Sequence, residues 1–200
     1  MPLPPPRPRR PLTRRQISCE GHHRDDGQLD IDGLLTDISF EVVNSPERGP
    51  IEPGRYIHEM HLRLTIDGQG VIQAIDAAMD ATPFGYCTGA VPNLQRLVGV
   101  RVTGGFRKLV QERVGHTEGC THLVTLLGVM STVAIRSLAA SRRGEGREAY
   151  AQVFATRGQS GNPLLNSCRS YAADSPVVRT VWPELAIDGS PAERKPNGDG

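Results

Sequence analysis

Two of the four cysteines in this 200-residue chain lie where a thiol can do chemistry. Cys87 lies in a segment bounded by Gly85 and Gly89, which leaves backbone amides exposed around the sulfur. Cys120 comes three residues after Thr117, the predicted N-cap of a long helix, where free N–H groups and the helix dipole favour a thiolate. Both positions suit a metal ligand or a nucleophile. The remaining two cysteines are predicted to be packing residues: Cys19 and Cys168.

His58 is placed near Cys87 by strand alternation followed by a hairpin. Segment 56–67 alternates apolar and polar residues, which puts His58 on the apolar face and His61 on the solvent face. The turn signal over residues 67–70 returns the chain in the opposite direction. The end of the next strand, and the Cys87 loop after it, are therefore expected beside His58.

Cys120 joins His58 and Cys87 if the N-terminus of the long helix packs over the same edge of the sheet. The three side chains then form one potential metal-binding set. Its members are His58, Cys87 and Cys120. Imidazole and thiolate groups are ligands that Zn²⁺ and iron prefer, and three ligands with an open fourth position are typical of catalytic sites. We therefore predict a small metal-binding protein that holds Zn or Fe through these residues.

Cys120 also has an interpretation as the nucleophile of an enzyme, activated by a nearby histidine. His116 precedes the predicted helix and can fold back towards the thiol, so the candidate catalytic residues are Cys120 and His116. His122 is two positions further along, about 200° around a helix, so we do not expect it to pair with Cys120. A third interpretation is a non-catalytic accessory subunit in which the cysteines are buried.

The residues named above must be positioned by strands and helices, which the periodicity of the apolar residues predicts. The pattern indicates an α+β fold in which an antiparallel three-stranded meander is covered by C-terminal helices. In the first strand, Leu34 and Ile38 mark the apolar face and Asp37 the polar face. A two-residue hairpin loop pairs Met60 with Ala77. The predicted strands span 29–43, 56–67 and 71–81, the predicted helices span 92–98, 105–114 and 117–141, and 44–54 is a loop.

Composition divides the chain into three parts. Residues 1–13 are rich in proline and arginine and are predicted to be a disordered arm. Residues 14–183 are predicted to form a single α+β domain, with a core over 29–141 and a C-terminal strap over 162–183. Residues 184–200 carry turn-forming and charged residues without periodicity, which predicts a disordered tail.

Charge and hydropathy exclude two classes of partner. The formal charge is +1, far from the basic excess of a protein that binds nucleic acid electrostatically. No apolar run approaches the roughly 20 residues that cross a bilayer, and the N-terminus lacks the apolar segment of a signal peptide. We therefore predict a cytoplasmic protein whose partner is another protein or a second copy of this chain.

The central part of the chain resembles the IscU/NifU iron–sulfur scaffolds. The resemblance covers Tyr56 to Ile135 and is carried by HEMHLRLTIDGQGVIQAIDAAMDATPFGYCTGA, LVG and GCTHLVTLLGVMSTVAI. The family's second and third cysteines fall on Cys87 and Cys120, its characteristic aspartate on His58 and its first cysteine on Tyr56. The resemblance implies an IscU/NifU-like sandwich.

A wider resemblance covers Arg14 to Pro183. Five blocks occur in order: RRQISCEGHHRDDGQLDIDGLLTD, IHEMHLRLTID, NLQRLVG, GHTEGCTHLVTLLG and NSCRSYAADSPVVRTVWP. They resemble the bacterial family called domain of unknown function 2889. This resemblance implies a context in the catabolism of aromatic or acyl compounds. The alternative to a metal-binding protein is therefore an enzyme of such catabolism that uses the same pocket.

Overall fold

The structure is a computed structural model that describes residues 3–102, 105–142 and 165–187. The chain divides into two compact units, residues 1–141 and 142–200. The described strands of the first unit are β1 (Thr13–His23), β2 (Leu29–Ser39), β3 (Val43–Ser45), β4 (Gly49–Ile51), β5 (Tyr56–Ile66) and β6 (Ile72–Ala81). Its described α-helices are α1 (Phe106–Val114) and α2 (Thr121–Ser141).

Four strands form one antiparallel sheet in the order β1–β2–β5–β6, which confirms the α+β class. The predicted count of three strands is wrong, because β1 joins the sheet as an edge strand. Most β1 residues are exposed, so the segment lacks the apolar alternation by which a strand is recognised. Its backbone nevertheless pairs with β2 over its whole length. Residues 3–12 before it form neither helix nor strand.

The segment predicted as a loop over 44–54 contains a two-stranded sheet of β3 and β4. The β5–β6 pairing also differs from the prediction, since Met60 lies opposite Met79 and not Ala77. Two features shift the register by one residue each. The Asp67 N–H bonds to the Val71 carbonyl oxygen at the turn, and a further irregularity lies between Thr65 and Ile66.

The core lies between one face of the sheet and α2, which packs against β1, β2, β5 and α1. Close approach of α2 requires Gly33 in β2, because a Cβ at that position would lie 2.6 Å from the Sδ atom of Met130. The fully buried side chains on this face of the sheet and on α2 include Ile31, Leu35, Met60, Leu64, Leu126, Leu127 and Met130.

The buried face of β2 is the opposite of the predicted one. Leu29, Ile31 and Leu35 are buried, whereas Leu34 and Ile38 are only partly covered. Successive side chains of a strand alternate between faces, so Asp37 points to the same side as Leu35, towards α2. This reversal places a carboxylate at the end of the core.

The long helix begins four residues later than predicted. A 3₁₀ turn over His116–Glu118 comes first, and α2 starts at Thr121. Cys120 therefore precedes the helix as its cap residue, and its carbonyl oxygen accepts the hydrogen bond from the Val124 N–H at 3.0 Å. The helix predicted over 105–114 is confirmed as α1, with Gly115 as its C-cap.

The prediction that no apolar run approaches a membrane-spanning length is wrong for α2. α2 has 21 residues and a mean hydropathy of 1.8 in its most apolar window, which satisfies the length and composition of a membrane span. Arg136 is the only Asp, Glu, Lys or Arg residue in this helix. In the first unit α2 packs an apolar stripe against the sheet, and 39% of its most apolar window is buried there.

The second unit is described over residues 165–187. Its helix α3 (Pro176–Val181) is capped by Ser175, whose Oγ accepts a hydrogen bond from the Val178 N–H at 3.1 Å. The rings of Tyr171 and Trp182 lie 5.4 Å apart within this unit. The first residues of the predicted strap, 162–164, and the residues of the predicted tail from 188 onward lie outside the described residues.

Candidate active site

Three charged or polar side chains form a row across neighbouring strands at one end of the sheet. Arg15 of β1 lies opposite Asp37 of β2, and Asp37 lies opposite His58 of β5. Directly opposed residues point to the same face, so all three point to the side that α2 covers. The Arg15 guanidinium donates two hydrogen bonds to the Asp37 carboxylate, each 2.7 Å long.

The start of α2 adds a second imidazole to this row. Asp37 Oδ2 lies 3.0 Å from His58 Nδ1 and 3.5 Å from His122 Nε2. The two imidazole rings stack face to face, with centroids 3.8 Å apart and planes tilted by 31°. The side chains of Asp37, His58 and His122 are 13, 15 and 20% exposed, so one largely buried carboxylate serves two largely buried histidines.

Cys120 contacts the other nitrogen of His122. Its Sγ atom lies 3.7 Å from His122 Nδ1. The expectation that these residues do not pair is wrong, because it assumed that both lie within a helix. Cys120 is the cap residue, and Gly119 before it is extended, so the helical angle of 200° does not apply.

Burial and charge set the ionisation of this cluster. Burial lowers the pKa of His58 and of His122, so both imidazoles are neutral at neutral pH and can accept a proton. Burial alone would raise the pKa of Asp37, but its hydrogen bonds with Arg15 and the Arg15 charge outweigh that effect. The pKa of Asp37 is therefore below its ordinary value, and the carboxylate is ionised.

A cavity of about 600 Å³ opens beside the cluster. His58, Cys87, Cys120 and His122 all line it, with Phe84 and Tyr86 near Cys87 along the chain. The three predicted metal ligands therefore line one pocket, although the hairpin alone predicted only that His58 and Cys87 lie close together. Cys87 reaches it from a 3₁₀ helix over Gly85–Ala90.

His116, the other candidate catalytic residue, does not line this cavity. It is exposed in the 3₁₀ turn before α2, with a positive φ of 51°. The histidine beside the Cys120 thiol is therefore His122 and not the predicted His116. Of the cysteines predicted to pack, Cys19 is half-buried, and burial raises the pKa of its thiol, whereas Cys168 is exposed.

Sequence reasoning missed three residues of the cluster: Arg15, Asp37 and His122. For Asp37 a usable signal existed, since Leu29, Ile31 and Leu35 alternate in phase with it. Leu34 and Ile38 are apolar residues on the opposite face of β2, so the strand has two competing apolar patterns that hide this signal. Arg15 could not be placed without β1, and His122 could not be placed without the true start of α2.

The donor atoms that converge most closely differ from the predicted set. Among the residues that the structure describes, two groups could hold a metal ion, with their donor atoms within 4.8 Å of one another. One is Asp37, His58 and His122, and the other is the more exposed group of Glu59, His61 and Asp80. Neither group contains a cysteine.

The arrangement of Cys120, His122 and Asp37 has the geometry of an activated nucleophile. A thiol lies next to one nitrogen of a neutral imidazole, and a carboxylate oxygen lies 3.5 Å from the other nitrogen, on the side from which it can orient the ring. Catalytic hydrogen bonds are often longer before substrate binds, which accommodates the 3.5 Å and 3.7 Å separations.

Comparison with known proteins places this chain in a family. Residues 13–136 match the family described as "Protein of unknown function (DUF2889)", and the chain belongs to it. The match includes all strands of the sheet, Cys87, and the whole Arg15–Asp37–His58–His122 cluster with Cys120. No curated protein and no solved structure matches the chain.

Proposed function

We propose that this protein is a thiol-dependent acyl-transfer enzyme with Cys120 as nucleophile, His122 as general base and Asp37 as the residue that orients His122. The contact of Cys120 Sγ with His122 Nδ1 at the start of α2, beside the cavity, carries the proposal. The reaction class is acyl transfer from an ester or thioester, which this set of residues performs on unrelated folds.

The geometry supports a two-step reaction. His122 Nδ1 accepts the Cys120 proton, the sulfur adds to the acyl carbonyl, and the leaving group departs with that proton. A thioester on Cys120 results. Water or another acceptor then adds to this thioester and releases the acyl group, restoring the thiol. The first-turn N–H groups of α2 have no partner within the helix, so they can donate to the developing oxyanion.

The test is acylation of the full chain by p-nitrophenyl acetate, followed by peptide mass spectrometry. We expect an initial burst of nitrophenolate and an acetyl group on Cys120. The C120S variant abolishes the burst. The H122A variant slows it by about 100-fold or more, the range expected for loss of a general base.

Two internal references make this result specific. Cys19 has a thiol with a raised pKa, so it should acquire little acetyl group. The exposed Cys168 lies in the other unit, and the C168S variant should keep the full burst. Acetylation of Cys120 at an unchanged rate in H122A would contradict the proposal.

The predicted Zn or Fe site remains a second proposal. It is favoured because His58, Cys87 and Cys120 all line one cavity. The resemblance to the IscU/NifU scaffolds also supports this proposal. Elemental analysis of anaerobically purified protein tests it, and loss of the metal in both the C87S and C120S variants would support this set of ligands. The bacterial origin, the cytoplasmic location and a protein partner or homo-oligomer likewise stay proposals.

A further inference from the structure

We infer that Asp37, His58 and His122 form a binding site for a divalent transition-metal ion, and that the bound ion switches off Cys120. The second part rests on the proposed thiol function. The site uses a different donor set from the predicted His58, Cys87 and Cys120, and it lies on the far side of the His122 ring from the thiol.

The spacing of the donor atoms is close to that around one ion, since all three lie within 4.8 Å of one another. Asp37 Oδ2 is 3.0 Å from His58 Nδ1 and 3.5 Å from His122 Nε2. Donors that each lie about 2.1 Å from one ion are about 3.0 to 3.4 Å apart at octahedral or tetrahedral angles. Two imidazoles and one carboxylate are a ligand set typical of Zn²⁺ and Fe²⁺.

The surroundings supply the outer contacts that such a site needs. Arg15 donates to both oxygens of Asp37 at 2.7 Å, so the carboxylate is held in one orientation before any ion binds. Ligating carboxylates are commonly fixed by hydrogen bonds of this kind. His58 and His122 both border the cavity, which gives an ion a path from solvent.

Binding of the ion removes the base that Cys120 needs. A neutral imidazole carries one proton, so metal coordination at His122 Nε2 confines that proton to Nδ1. Nδ1 is the nitrogen that faces Cys120 Sγ at 3.7 Å, and in this state it cannot accept the thiol proton. The same ion occupies the Asp37 oxygen that orients His122 in the metal-free protein.

Zn²⁺ binding to the full chain, freed of metal by a chelator, tests the site. We expect one equivalent of Zn²⁺ to bind tightly in a competition titration with a chromophoric chelator. Affinity should fall at least tenfold in D37N and in H58Q. The matched control is H61A, which removes a histidine from the exposed group of Glu59, His61 and Asp80 and should keep the tight equivalent.

The C87S variant separates this site from the predicted cysteine-containing set. It should bind Zn²⁺ as the wild type does. Loss of the tight equivalent in C87S with full binding in D37N would overturn the inference in favour of the cysteine set. Full binding in both D37N and H58Q would overturn it as well. Circular dichroism spectra of every variant show whether the fold is intact.

Alkylation of Cys120 in the wild-type protein tests the inference even if the variants fail to fold. One equivalent of Zn²⁺ should slow iodoacetamide alkylation of Cys120 at least tenfold, and a chelator should restore the rate. Tight binding that depends on Asp37 and His58, together with no acylation of the metal-free protein by p-nitrophenyl acetate, would support the metal site and reject the acyl-transfer function. Acylation at Cys120 without tight Zn²⁺ binding would support the acyl-transfer function and reject the metal site.

Discussion

At the scale of single residues, the cluster depends on one carboxylate with three partners. Asp37 accepts two hydrogen bonds from Arg15 and faces nitrogen atoms of both His58 and His122. Burying a carboxylate is costly unless it is paired and hydrogen-bonded. Arg15 supplies that pairing, which keeps Asp37 ionised and holds its Oδ2 towards both imidazoles.

Replacing Arg15 with methionine tests this role. We expect R15M to lower the free energy of unfolding by about 1–2 kcal/mol, because a largely buried carboxylate loses two charge-assisted hydrogen bonds and the partial exposure of Arg15 reduces the effect. Urea unfolding followed by circular dichroism measures the change.

The matched control for this variant is R63M, in the pair of Arg63 with Asp32. That pair has the same two-bond geometry, but its carboxylate is 37% exposed, against 13% for Asp37. Exposed ion pairs contribute about 0–1 kcal/mol, so R63M should cost less than R15M. Equal losses in the two variants would show that burial of Asp37 is not what makes Arg15 important.

At the scale of elements, the site exists because α2 crosses close to β1 and β2. The absence of a side chain at Gly33 lets Met130 lie against the strand, and this contact sets how near the helix comes to the sheet. The same helix carries His122 in its first turn, facing Asp37. Packing in the middle of α2 therefore influences the histidine at its start.

A methyl group at Gly33 should disturb this packing. We expect G33A to cost about 1–3 kcal/mol of unfolding free energy, the usual range for overpacking a core. In an M130A background G33A should cost less than it does in the wild type, because the clash is with the Met130 side chain. A Cβ at Gly89 meets no atom within 4 Å, so G89A is the control and should change stability little. If G33A matches G89A in urea unfolding, the close approach is not required.

At the scale of the whole molecule, two buried neutral histidines couple stability to pH. Burial lowers the folded-state pKa of His58 and His122 below the ordinary value of 6.5. The unfolded chain therefore takes up protons below this pH that the folded chain does not. The histidine contribution to stability is fully present above about pH 6.5 and is lost as the pH falls towards the lower folded-state values. Asp37 stays ionised through this window, since its pKa is also lowered.

The expected outcome is a lower free energy of unfolding at about pH 5.5 than at about pH 7.5. Urea unfolding at a series of pH values measures it. The H58Q/H122Q double variant should flatten this dependence, while H61A, whose histidine is about half exposed, should keep it. A wild-type stability that is constant or rises as the pH falls would contradict the coupling.

Local patterns in the sequence were enough to predict the α+β class, β5, β6 and α1. Alternation in β5 and the turn at Asp67 and Gly70 also brought His58 towards the Cys87 loop, and both residues do line one cavity with Cys120. These features depend on residues close together in the chain, whose periodicity and turn propensity are visible in the sequence alone.

The tertiary structure alone decided which side chains meet at the site. Arg15 and Asp37 are 22 residues apart, and their contact requires an edge strand that has almost no apolar pattern. Asp37 points inward because the packing of α2 selects one of two competing apolar phases in β2. His122 reaches Cys120 because the chain enters α2 through an extended glycine. Strand register and helix entry are settled by long-range packing, so no local pattern in the sequence determines them.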